Sequence, residues 1–596
     1  MDPYEFPPGT IFLDPERLDS GKNDIILEPK PSADPNEPLN WNKYRKGINF
    51  FVVCFFTLLA FALNCIPTVF WGPLNEELGF TFDQLNNGYA MGLAGLGLGC
   101  PFLIPFANKF GKRPVYLCGI AAVVGTAIWQ AKMYHPYDMY IATFIDGLAA
   151  SLTETIIQMT VADLFFVHQR GTMNGIFMTV VDIGNFLVLV PGGYITDSLG
   201  WRWVFWIIAI IDGAFLVFSF FFFEETKYLP EQTMITYKDV EVNEEDDKPR
   251  VEKSADAPLS TATRYLHEDR LRENLEDSRI SMSQSRPVSQ APSRRNSLSH
   301  SRPVSQSTSR RNSMDIKEAV SEHEIVVGDS NTPSVADNIV YHPRPLKKRL
   351  ALWTYSPGSW KNFFKKMYTP FIVLFTFPIV SFVAINYAFM LTWLAMAATS
   401  IANSFSSEPY NMSSTAIGNV NIAPFIGMAL GAVYGGYLND KSILWLTKRN
   451  GGLYEPEMRL YSMYLGAVAV TVGVFMFGIP IAEGKHWMIP TVGFSLIMFG
   501  FGSVGSISIT YMLDCYKDMV ADAFVGVVVV RNAFGTIVCF SLEPWINRCG
   551  LKTVFIISGC ISVIPLLLIY PMIRYGKELR RRSADRYKYF AELTWE

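Results

Sequence analysis

Four carboxylates lie inside long apolar stretches of this chain, where an ionised group is costly. Glu154 is the most central of them and has Gln158 one turn further along the same helical face; the others are Asp146, Asp182 and Asp212. A charge near the middle of a bilayer costs roughly 2.5–3.5 kcal/mol on insertion scales. A carboxylate kept there can bind an ammonium when ionised and carry a proton when neutral. The four acids therefore suggest a cation or proton site, and the alternative for each is a structural hydrogen bond or a pair with an arginine.

Aromatic side chains in the second half of the chain provide a second group of candidate ligands. Tyr387 and Trp393 lie in one apolar stretch and Tyr511 in another. Ring faces attract organic cations, so these residues are candidates for cradling an amine. The alternative for each of them is ordinary packing in the membrane.

Twelve apolar stretches, each long enough to cross a bilayer, must position these residues. They are separated by a long polar gap into six and six, at 48–71, 86–107, 114–132, 139–164, 172–195, 203–223, 369–397, 413–438, 460–481, 488–512, 523–545 and 553–574. The pattern predicts an all-α membrane protein with two pseudo-symmetric six-helix halves, typical of a transporter built from repeats. The predicted divisions are a tail 1–47, halves 48–224 and 368–574, a loop 225–367 and a tail 575–596.

The distribution of basic residues predicts the orientation of these spans. Placing both termini in the cytosol puts more lysine and arginine in the cytosolic loops than in the outer ones, as the positive-inside rule requires. The basic C-terminal tail, which includes Arg580 and Arg586, suits the anionic inner leaflet of a membrane. The polar start of the chain lacks the pattern of a cleaved signal peptide.

Composition and motifs argue against several other classes of protein. The net charge of −3 gives no basic field for nucleic acid, and the eight cysteines form no C-x-x-C pair typical of a metal site. The sequence has no Walker A motif and no HExxH or nucleophile-elbow motif in a suitable context. We therefore expect neither an enzyme nor a resident cofactor or metal.

The polar gap contains a short repeat that ends twice in Arg-Arg-Asn-Ser, at Ser297 and Ser313. Basophilic kinases favour an Arg-Arg-x-Ser pattern, and phosphorylation there would replace local positive charge with negative charge. The alternative is a solvated linker with incidental sites. At 346–367 the gap turns basic and aromatic, which predicts an amphipathic segment on the inner membrane surface before span seven.

The loop after span two resembles a signature of the major facilitator superfamily. It reads Asn108-Lys-Phe-Gly111-Lys-Arg113, with Asn108 where that family usually has aspartate, and the equivalent point of the second half keeps an acid at Asp440. The resemblance implies the twelve-helix fold of that family and a gating role for Asn108, Lys109, Gly111 and Arg113. Asp163 and Asp514 end spans four and ten at equivalent places and fit gating contacts, with Arg531 as a candidate partner of Asp514.

Further stretches are similar to fungal drug:proton antiporters within that superfamily. They are Asp34-Pro-Asn-Glu-Pro-Leu-Asn-Trp41, Gly200-Trp-Arg-Trp-Val-Phe-Trp206 and Phe223-Glu-Glu-Thr226. The stretches 162–171, 448–460 and 511–520 resemble the subgroup that contains the fungal histidinol and polyamine permease. Two departures, Val188-Leu189 in place of Gly-Pro and Thr143 in place of arginine, weaken the case for drug export and leave uptake open.

The resemblance and the excess of acids over bases in the spans imply a proton-coupled secondary transporter of a small organic cation such as a polyamine. Its partners are expected to be the bilayer, protons, the substrate and a basophilic kinase, and its location the plasma membrane. One alternative is efflux of drugs or metabolites by proton antiport. Another is a nutrient sensor that signals through its central loop without transporting.

Overall fold

The structure, a computed structural model, describes residues 7–12, 34–227, 235–237, 339–341, 349–355 and 360–595. Twelve helical segments in these ranges are long and apolar enough to cross a membrane. They are Lys43–Val69, Phe82–Phe110, Lys112–Ala131, Pro136–Leu164, Thr172–Leu199, Trp201–Phe222, Pro378–Ser406, Ser414–Arg449, Pro456–Ala482, Met488–Cys515, Val520–Cys549 and Leu551–Phe590. The prediction of twelve spans in two sets of six is confirmed, and we number the spans one to twelve in chain order.

Several spans consist of more than one helix. Span five begins at Thr172, within the helix Val167–Asp182, and continues through a π-helical turn at Ile183–Leu187 into the helix Leu189–Leu199. Span eight contains Ser414–Val420, Ile422–Val433, a π-helical turn at Tyr434–Leu438 and Asn439–Arg449. The remaining helices are Trp71–Leu78 after span one, Trp360–Thr376 before span seven, and Leu551–Ile561 and Val563–Trp595 in and beyond span twelve. π-Helical turns are frequent at functional sites.

The position of span seven differs from the prediction, which was wrong by about nine residues. The helix Trp360–Thr376 ends, Phe377 has extended backbone angles (φ −109°, ψ 106°), and a new helix runs from Pro378 to Ser406. The residue before a proline is disfavoured in the α region, so the chain breaks at Phe377. Hydropathy cannot detect this break, because the apolar run continues through it.

Local sequence fixes several helix ends. Thr81 caps span two by accepting a hydrogen bond from the amide of Gln84, whose side chain accepts one from the amide of Thr81. Gly111 separates spans two and three with φ +98°, a conformation that residues with a side chain rarely adopt. Spans two and three therefore turn sharply at one residue.

Each half of the bundle has its own apolar core. One core is built mainly from spans one to six and the other mainly from spans seven to twelve. The halves meet where span two packs on span eleven and where span five packs on span eight. We call the side where odd spans begin and even spans end the termini face; it carries loops 108–113, 223–227 and 450–455, residues 7–12 and the end of span twelve. The other side is the opposite face.

The short strands form two separate pairs among the described residues. Strand β1 (Ile11–Phe12) pairs antiparallel with β4 (Leu453–Tyr454) at the termini face. Strands β2 (Ile235–Tyr237) and β3 (Ile339–Tyr341) pair with each other. Contacts divide the chain into one unit with all twelve spans and a second unit, Thr236–Val340, which holds most of the central gap.

Candidate transport site

Four polar or charged side chains lie at one depth between the halves: Glu154, Asp182, Tyr387 and Arg531. Each is nine to eleven residues from the end of its span at the termini face (154 to 164, 172 to 182, 378 to 387 and 520 to 531). At 1.5 Å per residue this places them about 15 Å from that face. We call this set the central layer.

An ion pair joins the two halves in the central layer. Arg531 of span eleven donates a hydrogen bond to Oε1 of Glu154 in span four, and Nδ2 of Asn532 lies 3.3 Å from its Oε2. Both charged side chains are about nine-tenths buried. The suggested pairing of Arg531 with Asp514 is wrong: Asp514 lies at the termini face, and Arg531 belongs to the central layer instead.

Tyr387 connects this ion pair to Asp182. The guanidinium of Arg531 lies 5.6 Å from the centroid of the Tyr387 ring, and Tyr387 is within electrostatic reach of both Glu154 and Asp182. Oδ1 of Asp182 is buried and has no hydrogen-bond partner among the described residues. Asp182 directly precedes the π-helical turn of span five. The central layer thus holds two acids and one base, and one acid is free of the arginine.

Asp146 and Asp212 form a separate pair inside the first half. Both are completely buried, and they lie close enough to interact electrostatically. Asp146 is ten residues from the opposite-face end of span four (136 to 146), whereas Asp212 lies midway along span six, eleven residues from Trp201 and ten from Phe222. The structure therefore places Asp146 and Asp212 together inside the first half, apart from the ion pair of Glu154 with Arg531.

The other predicted ligands lie outside the central layer. Trp393 is six residues further along span seven, where it stacks on Phe389 with ring centroids 6.1 Å apart. Tyr511 is fully buried near the termini face, within electrostatic reach of Glu457 and Arg580 in the second half. The side chain of Gln158 falls outside the described residues.

The opposite face is closed by direct contact between the ends of spans five and eight. A Cβ atom added to Gly193 would lie 2.9 Å from the carbonyl carbon of Ser414, and one added to Gly418 would lie 2.7 Å from the carbonyl oxygen of Leu189. The amide of Thr415 donates a 2.9 Å hydrogen bond to Oδ2 of Asp197. Glycine is needed where backbones approach this closely.

A small cavity remains between the halves on the opposite-face side of the central layer. It measures about 30 Å³ and is lined by Cys65, Tyr89, Asn185, Asn421 and apolar side chains. A cavity of this size holds about one water molecule. A substrate in the central layer therefore has no path to the opposite face in this conformation.

The predicted gating loop of the first half is held by residues from elsewhere in the chain. The backbone amides of Lys112 and Arg113 donate 3.0 Å hydrogen bonds to the carboxylate of Glu225, which caps span three. The ammonium of Lys112 lies 2.5 Å from Oδ2 of Asp163. A side chain at Gly111 would collide with the Glu225 carboxylate. The loop is thus fixed by its backbone as much as by its charges.

The segment that leads into span seven also docks on this loop. Arg113 donates hydrogen bonds to the carbonyl oxygens of Leu350 and Phe220. The ammonium of Lys109 lies 3.2 Å from the centroid of the Trp360 ring. The carbonyl of Asn108 accepts a hydrogen bond from Lys227, so Asn108 contributes its backbone where the family usually has a carboxylate.

Glu224 joins three parts of the chain at the termini face. It accepts hydrogen bonds from Arg45 at the start of span one and from Arg349 at the end of the central gap. The distance from Nη2 of Arg349 to Oε1 of Glu224 is 2.7 Å. Burial alone would raise the pKa of Glu224, but the hydrogen bonds from Arg349 and Arg45 outweigh it and lower that pKa. A lowered pKa means that ionised Glu224 stabilises the folded chain.

We expect Glu224→Gln to lower the unfolding temperature at neutral pH, and the difference from the wild-type chain to shrink on acidification. A carboxylate with a lowered pKa contributes its full stabilisation at pH values above its pKa in the unfolded chain, about 4.3 for glutamate. This stabilisation is lost as the pH falls through the pKa of the folded chain. Thermal unfolding of the detergent-solubilised variant and wild type, measured between pH 7 and pH 3, tests this. A difference that stays constant over the range would contradict it.

The equivalent end of the second half has its own charge network. Arg459 donates hydrogen bonds to Asp514 and, at 2.8 Å, to Oδ1 of Asp440, and the hydroxyl of Tyr454 also donates to Asp514. Among the described residues, the charge pairs of the two predicted gates each stay within their own half or its docked segments. Asp163 and Asp514 thus hold equivalent positions beside Lys112 and Arg459.

Sequence reasoning missed several residues of these networks. Arg459, Tyr454 and Glu457 lie in a stretch singled out only for its family resemblance, and Glu224 and Glu225 in another. Two adjacent acids directly after an apolar span were the available signal for Glu225. The predicted phosphorylation sites Ser297 and Ser313 lie outside the described residues.

The comparisons with known proteins agree with this architecture. The model of the Major Facilitator Superfamily matches residues 50–540. The chain is 29% identical to an uncharacterized MFS-type transporter of Schizosaccharomyces pombe over 98% of this chain and 94% of that protein. It is 27% identical to Protein HOL1 of Saccharomyces cerevisiae, covering 95% and 92% of the two chains. It is 24% identical to the MFS antiporter QDR3 of Candida albicans, covering 83% and 73%.

Solved structures show the same fold at low sequence identity. A POT family transporter in complex with a thioalcohol-conjugated peptide matches with a TM-score of 0.54 at 10% identity, over 92% of this chain and 99% of that one. The xylose transporter XylE of E. coli matches with a TM-score of 0.50 at 11% identity, over 88% and 98%. Twelve spans in two packed halves, the family match and these relatives lead to one conclusion: the chain belongs to the Major Facilitator Superfamily and is a secondary membrane transporter, not an enzyme.

Proposed function

We propose that this transporter moves a small organic cation, of the polyamine class, by proton-coupled alternating access. The observation that carries the proposal is the charge of the central layer. Glu154 and Asp182 supply two acids and Arg531 one base. With both acids ionised the layer has a net charge of −1, which favours one cation or one proton beside the arginine.

Asp182 is the acid available to that cation. Glu154 already accepts a hydrogen bond from Arg531, whereas Oδ1 of Asp182 has no such partner among the described residues. The ring of Tyr387 is within electrostatic reach of both acids and can offer a face to a positive charge, as it does to Arg531. A substrate ammonium at Asp182 would therefore contact both a carboxylate and an aromatic ring.

A polycation adds a second step at the Glu154–Arg531 pair. A second ammonium can replace Arg531 as the partner of Glu154, and because that pair links the two halves, its exchange alters the contact that holds them together. Differential contacts of this kind are what allow a ligand to shift a conformational equilibrium. Asp146 and Asp212, completely buried inside the first half, are the proposed proton carriers.

We place the termini face in the cytosol and the protein in the plasma membrane, from the distribution of basic residues and the family resemblance. The similarity to the histidinol and polyamine permease subgroup supports uptake. Proton antiport that exports drugs or metabolites is the second candidate, favoured by the similarity to the MFS antiporter QDR3. Raised drug resistance on overexpression, without uptake of amines, would favour this export function over uptake.

We expect uptake of labelled spermidine in yeast lacking its own polyamine permeases, inhibited by a protonophore. Asp182→Asn removes the free carboxylate of the central layer and is expected to reduce uptake at least tenfold. The measurement is initial uptake rate at several spermidine concentrations, with surface expression quantified in parallel.

The matched control is Glu578→Gln. Glu578 pairs with Arg582 on the exposed end of span twelve, and such surface pairs contribute little to stability. This variant should transport at the wild-type rate. Uptake that survives both Asp182→Asn and a protonophore would overturn the proposed mechanism.

A further inference from the structure

The first described residues of the chain dock on the half to which they do not belong. Residues 7–12 precede span one, yet strand β1 adds to β4, which lies between spans eight and nine. Ile11 stands opposite Tyr454 and Phe12 opposite Leu453. The segment is held by backbone pairing, the mode in which an extended peptide adds to a free strand edge.

A buried arginine recognises the same segment. Arg580 is completely buried, and its Nε and Nη2 donate hydrogen bonds of 2.9 and 2.7 Å to Glu457. Its Nη1 donates to the carbonyl oxygen of Pro8 at 2.5 Å and to Oγ1 of Thr10 at 2.9 Å. Without residues 7–12 this nitrogen would lose both acceptors, which is costly for a buried charged group.

Position 9, between Pro8 and Thr10, requires glycine. Its φ of +85° is disfavoured for residues with a side chain. A Cβ atom there would also lie 3.1 Å from the carbonyl carbon of Asp514 and 3.1 Å from the Cα of Cys515. Conformation and space therefore both select glycine at this position.

From these contacts we propose that the termini-face end of the second half, formed by β4, Arg580 and the backbone at Asp514, is a peptide-docking site whose occupant is the chain's own residues 7–12. The docked segment positions β4, and Tyr454 of β4 donates to the Asp514 carboxylate that also binds Arg459. Occupancy of the site thereby orders the gate network of the second half. This inference is independent of the substrate and of proton coupling.

The tether makes docking effective even if the peptide alone binds weakly. Residues 34–41 rest on the first half, where Nε1 of Trp41 donates to the carbonyl of Asn36 and the guanidinium of Arg45 lies 3.7 Å from the centroid of the Trp41 ring. Because residues 7–12 and their site belong to one chain, their contact is intramolecular, which raises the effective concentration of the segment at the site. The site is therefore filled by its own chain in preference to other peptides.

Disulfide cross-linking in the full-length chain tests the docking. The double variant Phe12→Cys with Leu453→Cys has two cysteines at paired positions of strands β1 and β4. A protease site inserted in the central loop allows the chain to be cut into two fragments, which stay covalently joined only if the cysteines have cross-linked. We expect rapid cross-linking in membranes, slowed at least tenfold by Gly9→Ala and by an excess of a synthetic peptide of residues 4–15. The same peptide carrying alanine at position 9 should not compete.

The control for Gly9→Ala is Gly47→Ala, because a Cβ atom at Gly47 meets nothing within 4 Å. That variant should cross-link and transport as the parent chain does. Gly9→Ala, without the cysteines, should lower the Vmax of substrate uptake at least twofold at unchanged KM, since the central layer is untouched. Cross-linking insensitive to Gly9→Ala, or an unchanged Vmax despite lost cross-linking, would overturn the proposal.

Discussion

Replacing Arg531 by methionine is expected to abolish transport and to destabilise the folded chain by about 3–5 kcal/mol, the usual effect of leaving one partner of a buried ion pair unpaired. Glu154 is about nine-tenths buried, and without Arg531 its remaining described hydrogen bond is the 3.3 Å one from Asn532. Removal of the arginine also removes one of the contacts that join the two halves. Thermal unfolding in detergent and initial uptake rate measure the two effects.

The double variant Glu154→Gln with Arg531→Met separates the effect of the ion pair on folding stability from its effect on transport. It removes both charges, and neutral replacement of a buried pair is often tolerated or even stabilising. We expect the unfolding temperature to recover most of its loss while transport stays absent, because the central layer has then lost the carboxylate that a second ammonium would bind. Recovery of transport together with stability would show that the pair is only structural.

Gly193→Val is expected to reduce transport at least tenfold while leaving the protein folded and at the cell surface. A side chain at Gly193 would collide with the backbone of Ser414 and Thr415, so the opposite face could not close as it does here. Alternating access requires that closure in every cycle, and the variant should remain in states in which the contact is open.

A matched glycine provides the control for this variant. Gly213 lies in span six, and a Cβ atom there meets nothing within 4 Å. Gly213→Val should therefore transport normally. The side-chain tips of Tyr194 and Asn419 lie 3.5 Å apart across the closed face, so a bifunctional thiol reagent of matching length should join cysteines at these positions readily in the parent chain and slowly in Gly193→Val. Equal cross-linking in both would contradict the expectation.

Most of the fold could be predicted from hydropathy, and the exception has a clear cause. The twelve spans follow from twelve apolar runs, because a membrane requires each crossing to satisfy its own backbone hydrogen bonds. The start of span seven was misplaced because the break at Phe377 depends on Pro378 and on backbone sterics, to which an average over apolar residues is insensitive.

The candidate site was only partly predictable. Counting residues from the predicted span ends places Glu154, Asp182 and Arg531 at eight to ten residues, whereas the misplaced start of span seven at 369 puts Tyr387 at eighteen. A count from the span ends of the structure separates Arg531 from Asp514, which lies one residue from the end of span ten. It also places Tyr511 four residues from that end, near Glu457 and Arg580 and away from Tyr387. Which face of each helix points inward was not available, so the pairing of Glu154 with Arg531 could not be predicted.

Both ends of the central gap are fastened to the first half. Lys227 donates to the carbonyl of Asn108, Arg349 pairs with Glu224, and both residues line one cavity of about 370 Å³. The free energy of closing a loop between fixed ends grows only with the logarithm of its length, about 0.6 kcal/mol for each doubling. Sequence can therefore be gained or lost between these two anchors over evolutionary time at little cost to the packing of the twelve spans.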